Sequence, residues 1–132
     1  MKNLLTSIAL LLISMICKAQ NENLPKASFV GKWERTQRFH NLILEIMFEK
    51  DYAIVTDIGT GEAPAITFKA NLKENILVIL PIQNQNDFYI EMEIKKGKLH
   101  FRQKLITWDE NGNFKETKDS FETEKVYKRI RK

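Results

Sequence analysis

The chain has 132 residues, 43% of them hydrophobic, with 21 Lys and Arg against 17 Asp and Glu and a net charge of +4. The hydrophobic share excludes a disordered polymer, and the length excludes a multidomain enzyme and a polytopic membrane protein. Cys17 is the single cysteine and His40 and His100 are the only histidines. That excludes a disulfide framework and a zinc cluster, and neither a metal nor another cofactor is expected.

Met1-Lys2-Asn3 gives a short positive start, Leu4 to Cys17 is an apolar run, and Lys18-Ala19-Gln20 follows with a small residue. This three-part pattern predicts a secretory signal peptide over residues 1–19, cut after Ala19. The run falls short of the roughly 20 apolar residues that cross a bilayer, so no stable membrane span is expected. The competing reading makes Cys17 a lipid-modified N-terminus, but bulky Ile16 precedes it where a small residue is wanted. Export follows, to the periplasm or beyond the cell. The processed chain carries only +2, because Lys2 and Lys18 belong to the removed segment. The case for an anionic partner weakens accordingly, and export argues against nucleic acid.

Residues 20–28 read as a short polar lead-in containing Pro25, and residues 29–132 as one domain. From Phe29 onward the apolar pattern is almost wholly period two. Lys32–Arg38 is the first predicted strand and Leu42–Phe48 the second. The three residues Glu49-Lys50-Asp51 then return the chain so that Phe48 faces Tyr52 and Ile46 faces Ile54. Further strands are expected at Tyr52–Asp57, at Ala65–Leu72, and at Ile76–Ile82, the last apolar on both faces.

Lys96-Gly97 is a two-residue turn between two alternating runs. It sets Ile94 opposite Leu99, Met92 opposite Phe101 and Ile90 opposite Gln103 on one face, with Glu93 opposite His100 and Glu91 opposite Arg102 on the other. Opposite charges meet across the strands only in this register, each pair worth roughly 0.2–1 kcal/mol. Leu105–Trp108, a turn at Asp109–Asn113 and a last strand over about Phe121–Ile130 complete eight strands. No 11-residue window carries a helical stripe. Short antiparallel strands in succession form an all-β, up-and-down meander, and closing it into a single β-barrel removes its edges. A monomer is expected.

Phe29-Val30-Gly31-Lys32-Trp33-Glu34 resembles the Gly-x-Trp opening of the lipocalins and of small secreted bacterial lipocalin-like domains. The likeness continues in order to Val126-Tyr127-Lys128-Arg129-Ile130, although only Gly31 and Trp33 form a named motif. The resemblance implies a lipocalin-like barrel in which Trp33 closes one end and Arg129 or Arg131 lies across its ring, a contact worth about 0.5–2 kcal/mol. Here eight strands share fewer residues than lipocalin barrels usually have. A barrel of this size holds either its own side chains or one small ligand.

Period two places Ile46, Phe48, Ile54, Met92 and Phe101 toward the lumen, where the resemblance also sets Trp33, with Phe88 and Phe121 as further candidates, and Thr56 and Gln103 as the polar groups able to orient a head group. The same set reads either as a packed core or as the wall of an apolar pocket. Catalysis finds no support. Ser28 and Ser120 lie at strand margins, His40 sits in a turn beside Asn41, His100 faces Glu93 on the outer side, and Glu91 and Glu93 form a common solvated pair. Asp109, Asn111 and Asn113 alternate like a calcium loop, but Gly112 and Ser120 fall where such a loop forbids them, and a plain turn is expected. The cations from Lys125 to Lys132 read as guards of a strand edge, or as a contact for an acidic partner protein or lipid head group.

Two non-enzymatic functions follow. One is a carrier of a small apolar or amphipathic ligand in the bacterial envelope. The other is a module with a filled core that grips a protein through its outer sheet or loops, notably Thr60–Pro64 and Gln83–Asp87, as an inhibitor, immunity or assembly factor would. A connected cavity of about 300 Å³ or more favours the carrier. A solid interior beside an exposed apolar patch favours the protein binder.

Overall fold

Alternating side chains drive ten strands, and a computed structural model describes them over residues 25–115 and 120–131. The expected signal peptide lies outside the described residues. The strands are β1 (Gly31–Gln37), β2 (His40–Phe48), β3 (Ala53–Gly59), β4 (Ile66–Lys73), β5 (Ile76–Ile79), β6 (Phe88–Lys95), β7 (Lys98–Leu105), β8 (Thr107–Trp108), β9 (Phe114–Lys115) and β10 (Lys125–Arg129). Eight of them close an antiparallel barrel in the order β1-β10-β7-β6-β5-β4-β3-β2, while β8 and β9 form a separate hairpin between β7 and β10. Closure rests on β1 against β10, with Trp33 opposite Arg129 and Glu34 opposite Lys128. Among the described residues no helix is long and apolar enough to cross a membrane.

The β6–β7 hairpin has the register its turn dictates: Ile94 faces Leu99, Met92 faces Phe101, Ile90 faces Gln103, Glu93 faces His100 and Glu91 faces Arg102. Lys96 and Gly97 have φ of 52° and 74°, the left-handed pair of a type I′ turn, and only Gly adopts the second without strain. Arg102 ties the outer face together, with Nη2 2.7 Å from Glu91 and Nη1 3.7 Å from Glu93.

Several boundaries differ from the sequence expectation. The β2–β3 loop takes four residues, closed by the Glu49 N–H donating to the Tyr52 carbonyl at 2.9 Å, so Phe48 faces Ala53 and Ile46 faces Val55. One residue of slip exchanges the two faces of a strand. Ala53 and Val55 are therefore buried, and Ile54 and Thr56 take the outward positions. The fifth strand stops at Ile79 because Pro81 has no N–H to continue a ladder. Ile82 instead bridges Asn86. Leu105–Trp108 is not a single strand that the Asp109–Asn113 turn joins to the last one: the Ile106 N–H turns aside to the Asp87 carbonyl, and Thr107 and Trp108 pair with Lys115 and Phe114. The last strand begins at Lys125 rather than Phe121. The lead-in ends in a helical turn over residues 25–29.

An up-and-down barrel gathers its connections at two ends. One end holds the helical turn and the tight returns after β2, β4 and β6. The other holds the β1–β2 turn and the longer links after β3, β5 and β7. Between them Trp33, Phe29, Ile46, Leu77, Met92, Leu99 and Val55 are wholly enclosed.

Candidate functional site

The end carrying the helical turn is sealed. Trp33 has no exposed surface, and its indole N–H donates to the Phe29 carbonyl at 2.8 Å. The Arg129 guanidinium lies 4.4 Å from the centre of the indole ring and also donates to the Val30 and Ser28 carbonyls. A Cβ on Gly31 would meet Arg129 Nη1 at 2.8 Å, and its φ of +133° is foreign to other residues, so Gly is required two positions before the plug. Of the two candidate stacking cations, Arg129 makes the contact. Arg131 is exposed beyond the end of β10. Phe48 packs against the core at this end, under Lys26 Nζ at 5.9 Å from its ring.

The opposite end is open. There the lumen leaves a cavity of about 110 Å³, smaller than the roughly 300 Å³ of an ordinary small-molecule site. Its apolar wall includes Phe68, Phe88, Ile90 and Phe101, and its polar groups are Asp57, Asn86 and Gln103. Among the predicted lumen residues, Phe101 and Gln103 reach this cavity. Trp33, Ile46 and Met92 are buried in the packed part of the core, and Ile54 and Thr56 lie outside it. Asp57, two residues beyond Val55 on the same face, became visible as a lining residue only with the four-residue loop. Phe121 is also outside, its ring 6.3 Å from Tyr89 and 5.4 Å from the Arg102 guanidinium.

Most of the cavity's polar capacity is committed. Asn86 donates from Nδ2 to the Phe88 carbonyl at 2.8 Å and accepts the Phe88 N–H at 3.0 Å. Gln103 donates from Nε2 to Glu122 at 3.0 Å. On the adjoining wall burial pushes the Tyr127 phenol above its ordinary value, opposed by a hydrogen bond and charge from Arg35. The Asp109 turn is a plain one: its carboxylate accepts the N–H groups of Asn111 and Asn113, both at 2.9 Å. His100 lies 3.3 Å from Glu124, so its ion-pair partner comes from the segment before β10 and not from Glu93 across the hairpin.

Apolar side chains collect around the open end. Phe39 in the β1–β2 turn is 98% exposed, Ile66 at the start of β4 58%, Ile82 after β5 52%, and Leu80 and Leu105 are exposed beside the same end. Between β4 and β5 the wall is incomplete. β5 pairs with β4 only from Asn71 to Lys73, so on the side away from β3 the stretch of β4 from Ile66 to Lys69 faces a notch of about 280 Å³. Phe68, Ile79 and Asn86 line both the notch and the inner cavity, which are therefore separated by one layer of side chains.

No family model, curated protein or solved structure matches this chain.

Proposed function

We propose that this protein is a non-enzymatic binding module of the bacterial envelope, with a filled barrel that grips another polypeptide at its open end. The observation that carries the reading is the grouping of Phe39, Ile66, Leu80, Ile82 and Leu105 around one end. Exposed apolar groups gathered in one place mark an interaction surface, whereas scattered ones do not. The edge of β4 away from β3, over Ile66 to Lys69, adds main-chain donors and acceptors, which an extended segment of a partner satisfies by adding as a strand. Export is supported by the composition of residues 1–19, and kinship with the lipocalin-like domains by the Gly31, Trp33 and Arg129 arrangement.

A photo-crosslinking residue at Ile82, introduced in the native host, tests this. The expected result is one discrete polypeptide adduct, absent when the crosslinker stands at Met47 and lost when Ile66→Lys is added. Identical adducts from Ile82 and Met47, or an adduct indifferent to Ile66→Lys, would overturn the reading. The carrier reading keeps one supporting observation, the open-end cavity, and its cargo is then limited to a molecule much smaller than a lipid.

A further inference from the structure

The open-end cavity has a charge preference written into its walls. Asp57 is the one charged side chain among the described residues that line it. The Asp57 carboxylate accepts the Gly59 N–H at 3.0 Å, and among the described residues no cation stands within ion-pair distance of it. Each of the other two polar groups spends one of its two N–H donors on a partner, Asn86 on the Phe88 carbonyl and Gln103 on Glu122. The amides offer both donors and acceptors, so the charge preference is set by the Asp57 carboxylate, an acceptor only. Two cations of neighbouring strands are seated on aromatic rings, Arg35 5.6 Å from the centre of Tyr127 and Lys125 5.5 Å from that of Phe101, and neither lines the cavity.

We infer that this cavity is a binding site for an alkylammonium group, its aliphatic tail between Phe68, Phe88 and Phe101 and its ammonium at the mouth against Asp57. The volume sets the tail. A cavity of about 150 Å³ holds a benzene ring, so about 110 Å³ holds an unbranched chain of roughly five carbons. Asp57 is itself exposed, so the ammonium keeps part of its hydration and avoids the cost of full burial. With the ammonium at the mouth and the tail inward, the site takes a free aliphatic amine and not a lysine side chain, whose backbone would then have to lie at the closed end. The site is independent of the polypeptide reading above, because it can be occupied in the isolated protein.

Amide chemical shifts of the isolated protein, titrated in parallel with pentylamine, pentanol and pentanoate, decide the matter. Pentylamine is expected to bind most tightly, with shifts confined to residues around Asp57, Phe88 and Phe101. Affinity is expected to rise about fourfold per methylene from propylamine to pentylamine and then level off. Asp57→Asn keeps an oxygen for the Gly59 N–H and is expected to weaken pentylamine about three- to fivefold while leaving pentanol unchanged. If pentanoate binds best, Arg35 and Lys125 set the preference and the inference fails. Equal binding of pentylamine and pentanol leaves an uncharged pocket and also overturns it, as does the absence of any shift. Nα-acetyl-lysine methylamide, whose ammonium stands at the free end of its chain, is expected to bind far more weakly than pentylamine, and equal affinity would overturn the inward placement of the tail.

Discussion

Trp33 is the residue on which one end of the barrel depends. Its ring fills the space between β1, β10 and the helical turn, its N–H satisfies the Phe29 carbonyl, and its outer face carries the Arg129 guanidinium. Trp33→Ala removes a fully buried ring and is expected to cost about 3–5 kcal/mol in urea denaturation. A loss below about 1 kcal/mol would show that the indole does not support the core. Tyr127, on the wall nearer the open end, offers a different test. Its phenol is raised by burial, so above pH of about 10 the unfolded chain releases a proton that the folded chain retains. The stabilising contribution of the neutral phenol is full below that pH and is lost as pH climbs toward the folded value. Tyr127→Phe forfeits the bond to Arg35, about 1 kcal/mol near neutrality, but carries no such proton. Urea midpoints at pH 8 and pH 10.5 should therefore show the gap between wild type and variant narrowing, and a constant gap would contradict the assignment.

At the scale of elements, legibility followed turn chemistry. The β6–β7 hairpin could be read to the residue because Lys96-Gly97 admits one turn type and one register, and every expected pair is present. The β2–β3 return could not. Tyr52 reads as a strand residue by propensity, yet it belongs to the loop, where Lys69 Nζ sits 4.3 Å from the centre of its ring. That contact with β4 is distant in sequence and leaves no signature in the local pattern around Tyr52. That single residue moved Ile54 and Thr56 out of the lumen and brought Asp57 in, which changes the chemistry of the candidate site from an apolar pocket to one with a carboxylate. The small β8–β9 hairpin was hidden for a similar reason. It is held by the Trp108 and Phe114 rings meeting edge to face at 6.1 Å and by the Trp108 indole donating to Asp87 at 2.9 Å, neither of which has a periodic signature. Pro81 carries the signal that ends β5, but the apolar run carried the expected strand past it to Ile82, and the notch at the side of β4 was hidden with it.

The whole molecule is a ring of strands with its ends side by side. The Ile130 N–H donates to the Lys32 carbonyl at 2.8 Å, and Trp33 faces Arg129, so the start of β1 and the end of β10 are already neighbours. In such a closed barrel the chain can be cut elsewhere without opening an edge, provided the cut spares the contacts that organise the sheet. A permutant joining residue 131 to residue 25 through about six Gly and Ser residues, which span roughly 13 Å, tests closure. Cut between Gly61 and Glu62, in an exposed link with few main-chain bonds, it should retain its near-ultraviolet circular dichroism and the shielded emission of Trp33. Cut instead between Lys96 and Gly97, it converts the most extensively paired hairpin from a local contact into a long-range one, and loop-closure entropy then opposes the ladder. This second permutant should unfold at lower urea and refold more slowly than the first. If both fail to fold, β1 and β10 do not close the sheet. If the order is reversed, the hairpin at Lys96-Gly97 is not what sets the register of the barrel.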